Sequence, residues 1–227
     1  MERLLPVLLL VAALAGCSSM PENKTEAIPS DGNGFPQEFI QGRVVYMQCV
    51  GGYEFPAQIQ RDEVWLLLPE GAKRLVPKKM ATGTLYSNGE YNFWITREEA
   101  TLGIVDEPTL QCRNNKNKAI WEEARLRGAD FRAVGHNPDW YLELSLEGNT
   151  VFVGGGGSTR ILFKTSVSVV DREKETSTYQ MNNGDSKITI VIEGKSCVEP
   201  TTGELFDTTV TLYLDGKKLS GCGRALR

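Results

Sequence analysis

The chain has a single histidine, His136, and none of its five cysteines forms a C-x-x-C pair. Thiolate and imidazole zinc sites are built from such local pairs, so the composition argues against one. No Ser-His-Asp set, closely spaced carboxylate pair or metal-ligand spacing stands out, and neither an enzymatic activity nor a cofactor is expected. A cationic excess is also missing. The 25 Lys and Arg residues are outnumbered by 29 Asp and Glu, and the net charge of −4 makes nucleic acid an implausible partner. The longest apolar run, Leu4 to Leu14, is too short to cross a bilayer as a helix. Gly154-Gly155-Gly156-Gly157-Ser158 has the glycines of a phosphate loop, but no Lys-Ser/Thr step and no helix pattern follow it, so it reads as a hairpin loop.

What is present starts with MERLLPVLLLVAALAGC, in which Arg3 lies in a short charged head, the apolar run follows, and small residues precede Cys17. This is the pattern of a secretory signal peptide. Leu14-Ala15-Gly16-Cys17 resembles the bacterial lipobox, which implies removal of residues 1–16 and lipidation of Cys17. Ser18, where inner-membrane lipoproteins carry Asp, implies the outer membrane. Residues 17–38 are rich in Ser, Pro, Gly, Asn and charge, too polar to order themselves, and read as a disordered tether. Cys49, Cys112, Cys197 and Cys222 then remain for two disulfides in an oxidising compartment, and four cysteines allow three pairings. The pairing that lets each bond enclose one block of β-pattern is Cys49–Cys112 with Cys197–Cys222.

Past the tether, short apolar runs broken by turn signals predict an all-β chain of two small antiparallel domains, residues 39–113 and 129–227, joined by a linker helix over 114–128. Asn117 is expected as the helix N-cap and Gly128 as its terminator, with Ile120 and Ala124 on one face. Asn88-Gly89 predicts a two-residue type I′ hairpin with Tyr86 and Phe93 on paired strands, and Ala81-Thr82-Gly83-Thr84 before it predicts a close backbone approach. In the second block, Trp140, Leu142, Leu144 and Leu146 alternate with Tyr141, Glu143, Ser145 and Glu147, which predicts a half-buried strand. The same period runs through Ile161 to Val169, Ile188 to Ile192 and Val210 to Leu214. Asp215-Gly216 supplies another turn. His136 reads as a turn residue, with Asp139 and Trp140 close enough to shape a small pocket.

The order Ala81, Thr82, Gly83, Tyr86, Phe93-Trp94, Glu99-Ala100 and Leu102 resembles the signature of the membrane-bound lysozyme inhibitors of c-type lysozyme, over residues 43–113 or so. The resemblance implies a β-barrel closed by Cys49–Cys112, and a loop that enters the lysozyme cleft to meet its catalytic carboxylates. The binding residues it implies are Thr82, Gly83, Tyr86, Thr96 and Arg97. Thr82 stands where the family has serine, and the family's Lys-Gly step falls on Thr96 and Arg97, so the cation is displaced by one residue or lost. Residues 131–224 resemble a domain of bacterial envelope lipoproteins that brings no activity with it. The resulting expectation is a lipid-anchored periplasmic inhibitor, with c-type lysozyme as partner. The alternative is an envelope lipoprotein with a structural or ligand-binding role.

Overall fold

The computed structural model describes residues 42–80 and 83–227. The signal segment, Cys17, the tether, and Ala81 and Thr82 of the expected binding loop lie outside the described residues. Eight antiparallel strands form a meander, β1 (Arg43–Cys49), β2 (Glu54–Ile59), β3 (Val64–Leu68), β4 (Gly71–Lys78), β5 (Thr84–Ser87), β6 (Tyr91–Ile95), β7 (Glu99–Ile104) and β8 (Leu110–Asn114). They form a closed barrel. Each strand turns alternate residues inward, as its sequence dictates. In β1, Val45, Met47 and Cys49 are buried between outward-facing Val44, Tyr46 and Gln48. Phe55, Leu66, Leu75, Phe93 and Leu102 fill the interior without exposure, as eight strands leave a lumen just wide enough for side chains. Pro56, which cannot donate, lies in β2 beyond the stretch that pairs with β3.

The barrel closes where β1 meets β8 over three register pairs, and the last of these is Cys49 opposite Cys112. These two cysteines are disulfide-bonded, so the staple lies directly across the closing seam.

The Asn88-Gly89 hairpin forms, one residue out of its expected register. Tyr86 pairs with Phe93 and Ser87 with Asn92. Gly89 alone of the pair has positive φ, at 98°, and Asn88 Oδ1 instead accepts from the backbone N–H groups of Glu90 and Tyr91. The turn is therefore centred on Gly89-Glu90, with glycine first, because the Asn88 side chain gains more as an acceptor than its backbone gains in a left-handed conformation.

Helix α1 (Lys116–Leu126) follows β8 at once. Its N-cap is Asn115 rather than Asn117: the Asn115 side chain accepts from Lys118 N, while its Nδ2 donates to Gln48 Oε1 at 2.9 Å and so ties the helix start to β1. Ala119 and Ala124 are the buried residues of the helix. Ile120, expected on one face with Ala124, is 45% exposed.

The remaining strands are β9 (Phe131–Gly135), β10 (Trp140–Leu144), β11 (Asn149–Gly154), β12 (Thr159–Lys164), β13 (Val169–Asp171), β14 (Thr176–Asn182), β15 (Lys187–Glu193), β16 (Cys197–Val198), β17 (Leu205–Phe206), β18 (Thr208–Leu214) and β19 (Lys217–Ala225). Nine of them make one antiparallel sheet in the order β12-β11-β10-β9-β19-β18-β15-β14-β13, while β16 and β17 form a separate two-stranded flap. The large sheet curls into a half-barrel around Leu142, Leu144, Phe163, Ile190 and Leu212. Its ends approach without forming a ladder, and Asn183 Nδ2 bridges to Leu162 O at 3.0 Å. The expected alternation stops early in two places. Leu146 falls in the turn after β10, and Val167 lies between β12 and β13, 94% exposed. The second disulfide, Cys197–Cys222, joins the flap to β19. Both disulfides mark the chain as extracytoplasmic.

Replacing Cys49 and Cys112 together by serine should cost about 4 kcal/mol of stability in the chain-entropy account of a loop of this length. Urea unfolding followed by tryptophan fluorescence measures this, and an unchanged midpoint would mean that the seam holds without its staple.

Candidate functional site

The barrel is filled, so its chemistry lies on the rim. Thr84 pairs with Ile95, which sets Gly83 beside Thr96 even though they come from different turns. Gly83 has a φ of +70°, and a Cβ there would collide with the Trp94 indole. The close approach expected for this loop is therefore made by Trp94, and it admits only glycine. Thr96 opens the β6–β7 turn, where both its N–H (2.9 Å) and its hydroxyl (3.1 Å) donate to Glu99 O. Arg97 follows at the exposed tip.

Neighbouring cations on this rim are engaged. Lys116 pairs with Glu98 at 2.9 Å and Arg113 with Glu99 at 3.2 Å. Arg97 has no ion-pair or hydrogen-bond partner among the described residues. Three of the residues singled out in the sequence, Gly83, Thr96 and Arg97, thus meet at one end of the barrel. Tyr86 does not join them. It is a buried core residue paired with Phe93, and burial pushes its phenol up from its ordinary pKa.

A second concave region, a cavity of about 530 Å³, lies on the outer face of the half-barrel. Period-2 alternation builds its floor. Phe131 and Ala133 of β9 point into the half-barrel core, so Arg132, Val134 and His136 are turned outward to line the cavity. Helix α1 forms one wall through Ile120 and Trp121. The flap forms another through Glu199 and Phe206, held down by Cys197–Cys222.

Most of the charges at this cavity are paired. His136 Nδ1 faces Asp139 Oδ1 at 2.8 Å and its Nε2 faces Glu199 Oε1 at 2.7 Å. Glu199, a buried residue, also accepts from Thr201 N (2.8 Å), Thr202 N (2.7 Å) and Thr202 Oγ1 (2.6 Å). Burial alone would raise its carboxyl, but the Thr202 hydroxyl, the two backbone N–H groups and His136 outweigh that and hold it down to about 2. Glu204 pairs with Arg224 at 2.5 Å. Glu143 on β10 takes the buried Arg132 guanidinium and, at 2.7 Å, Arg127. Arg132 also lies over the rings of Tyr141 (4.4 Å) and Trp121 (5.6 Å). Among the described residues no cluster of His, Cys, Asp and Glu is arranged to hold a metal ion, and no helix is long and apolar enough to cross a membrane.

The sequence pointed to His136, Asp139 and Trp140 here but offered no sign of Glu199, Arg132 or Trp121. Trp140 belongs to the half-barrel core, its indole packed over Gly135 and Gly221 where no Cβ would fit. Glu199 follows Cys197 by two residues, and that proximity to a flap cysteine is the one sequence feature that bears on its position. Comparison with protein families, curated proteins and solved structures finds no match to this chain.

The depressed Glu199 carboxyl has a defined sign for acid stability. Its folded pKa lies below the ordinary value of 4.5, so its contribution is complete above that pH and is lost as pH falls toward about 2. Glu199→Gln should therefore be less stable than the native chain at pH 7 by a margin that narrows below pH 4.5. Urea titrations across this range test it, and a margin independent of pH would mean that the carboxylate charge is not what holds the flap.

Proposed function

We propose that the protein is a lipid-anchored module of the bacterial outer membrane, facing the periplasm, whose barrel rim inserts into the active-site cleft of a c-type lysozyme. The observation that carries this reading is the meeting of Gly83, Thr96 and unpaired Arg97 at one end of a disulfide-closed eight-stranded barrel. The signature over residues 81–102 and the lipobox at Cys17 support it from the sequence. A lysozyme cleft holds one ionised and one protonated carboxyl near neutral pH. It is met by a hydroxyl that hydrogen-bonds and a cation that pairs with the ionised group. Thr82 supplies the hydroxyl. Arg97 supplies the cation, because Thr96 and Arg97 lie in a tight turn instead of continuing the strand, and a guanidinium pairs with a carboxylate through two parallel hydrogen bonds.

The soluble Cys17→Ala form should inhibit lysis of a bacterial cell-wall suspension by c-type lysozyme saturably, and Arg97→Ala should weaken that inhibition by about 2 kcal/mol, the loss expected for an interfacial charge pair. Complete absence of inhibition sinks the reading. If Thr96→Lys strengthens inhibition while Arg97→Ala has no effect, the cation is not supplied by Arg97. The same Cys17→Ala change should move the protein out of the membrane fraction.

A further inference from the structure

The cavity on the outer face of the half-barrel lies outside the rim and is independent of it. At about 530 Å³ it falls within the range of small-molecule sites. Two features need explaining. Ile120 is left 45% exposed on a helix face that looks into the cavity, next to the apolar surfaces of Trp121 and Val134. The charges around it are also unevenly matched. Each carboxylate is taken: Glu199 by four donors, Glu204 by Arg224 and Asp139 by His136. The cations are less fully engaged. Arg132 is paired with Glu143 through Nη1, yet its Nε, on a residue only 5% exposed, has no hydrogen-bond partner among the described residues, a condition that costs stability unless something else satisfies it. Arg160, which also lines the cavity, has no ion-pair partner among the described residues.

We propose that this cavity is a binding site for a small organic anion, a ring-containing apolar body carrying a carboxylate. The body packs on Ile120 and Trp121, and the carboxylate is met by the unpartnered Nε of Arg132 and the guanidinium of Arg160. A cation of the same shape finds every acid already engaged, and so is selected against. The flap wall is held in place by Cys197–Cys222, which fixes Glu199 and Phe206 over the sheet.

The test uses the disulfide-intact Cys17→Ala chain and 2-naphthoate as probe, followed by calorimetry and tryptophan quenching. Saturable binding of one probe per chain is expected, with 2-naphthylmethylammonium at least about tenfold weaker, and Arg160→Ala and Ile120→Glu each weakening 2-naphthoate by about tenfold or more, the scale of one lost charged contact. Both substitutions are at exposed positions, and circular dichroism checks that they leave the fold intact. Equal affinity for the anion and the cation, no saturation, or unchanged binding in both folded variants overturns the proposal.

Discussion

The packing around Trp121 is the contact on which the arrangement of the described chain depends. This one side chain of α1 lies 5.2 Å from the Phe206 ring and under the guanidinium groups of Arg132 and Arg224. It thereby ties the helix to β9, to β19 and to the flap together. The other side of the helix is tied to the barrel, where Lys118 bonds Glu54 at 2.7 Å and sits over the Tyr46 ring. Each cation–aromatic contact of this kind contributes on the order of 0.5–2 kcal/mol, more as it is desolvated. The contacts that share the Trp121 indole act as a set, and the helix is wedged between the barrel and the half-barrel.

Much of the fold was legible in the chain because it rests on local periodicity. Strands such as Ile188 to Ile192 and Val210 to Leu214 alternate so regularly that their inner face follows from the letters. Misreadings came where a side chain outcompeted the backbone rule. Asn88 acts as an acceptor and shifts its hairpin, and Asn115 takes the cap because it can also reach Gln48. Val167 continues an apolar period past the end of its strand into solvent, since periodicity alone does not say where pairing ends. The rim was partly visible, because Gly83, Thr96 and Arg97 are brought together by a hairpin whose turn is local. The cavity was not, because His136 and Glu199 meet only through the flap, and a flap position is set by a disulfide and a long-range packing contact that no short window contains.

The two candidate sites differ in how their charge is left over. On the rim, Arg113 and Lys116 pair with the adjacent glutamates, while Arg97 at the exposed tip has no such partner among the described residues. In the cavity, the buried Nε of Arg132, on a guanidinium stacked against aromatic rings, is left without a hydrogen-bond partner among the described residues, where removal from water makes any unmatched polar atom costly.

The two β-units also differ in how they resist force and fluctuation. The barrel has no free edge and a covalent bond across its seam. In the half-barrel, Asn183, in the turn after β14, reaches Leu162 of β12 across the gap, and the disulfide secures the flap and not that gap. Local opening in the second unit accordingly begins at the free edge strands β12 and β13, and because Arg160 of β12 lines the cavity, fraying of that edge loosens one side of the site while the stapled flap and the helix hold the other.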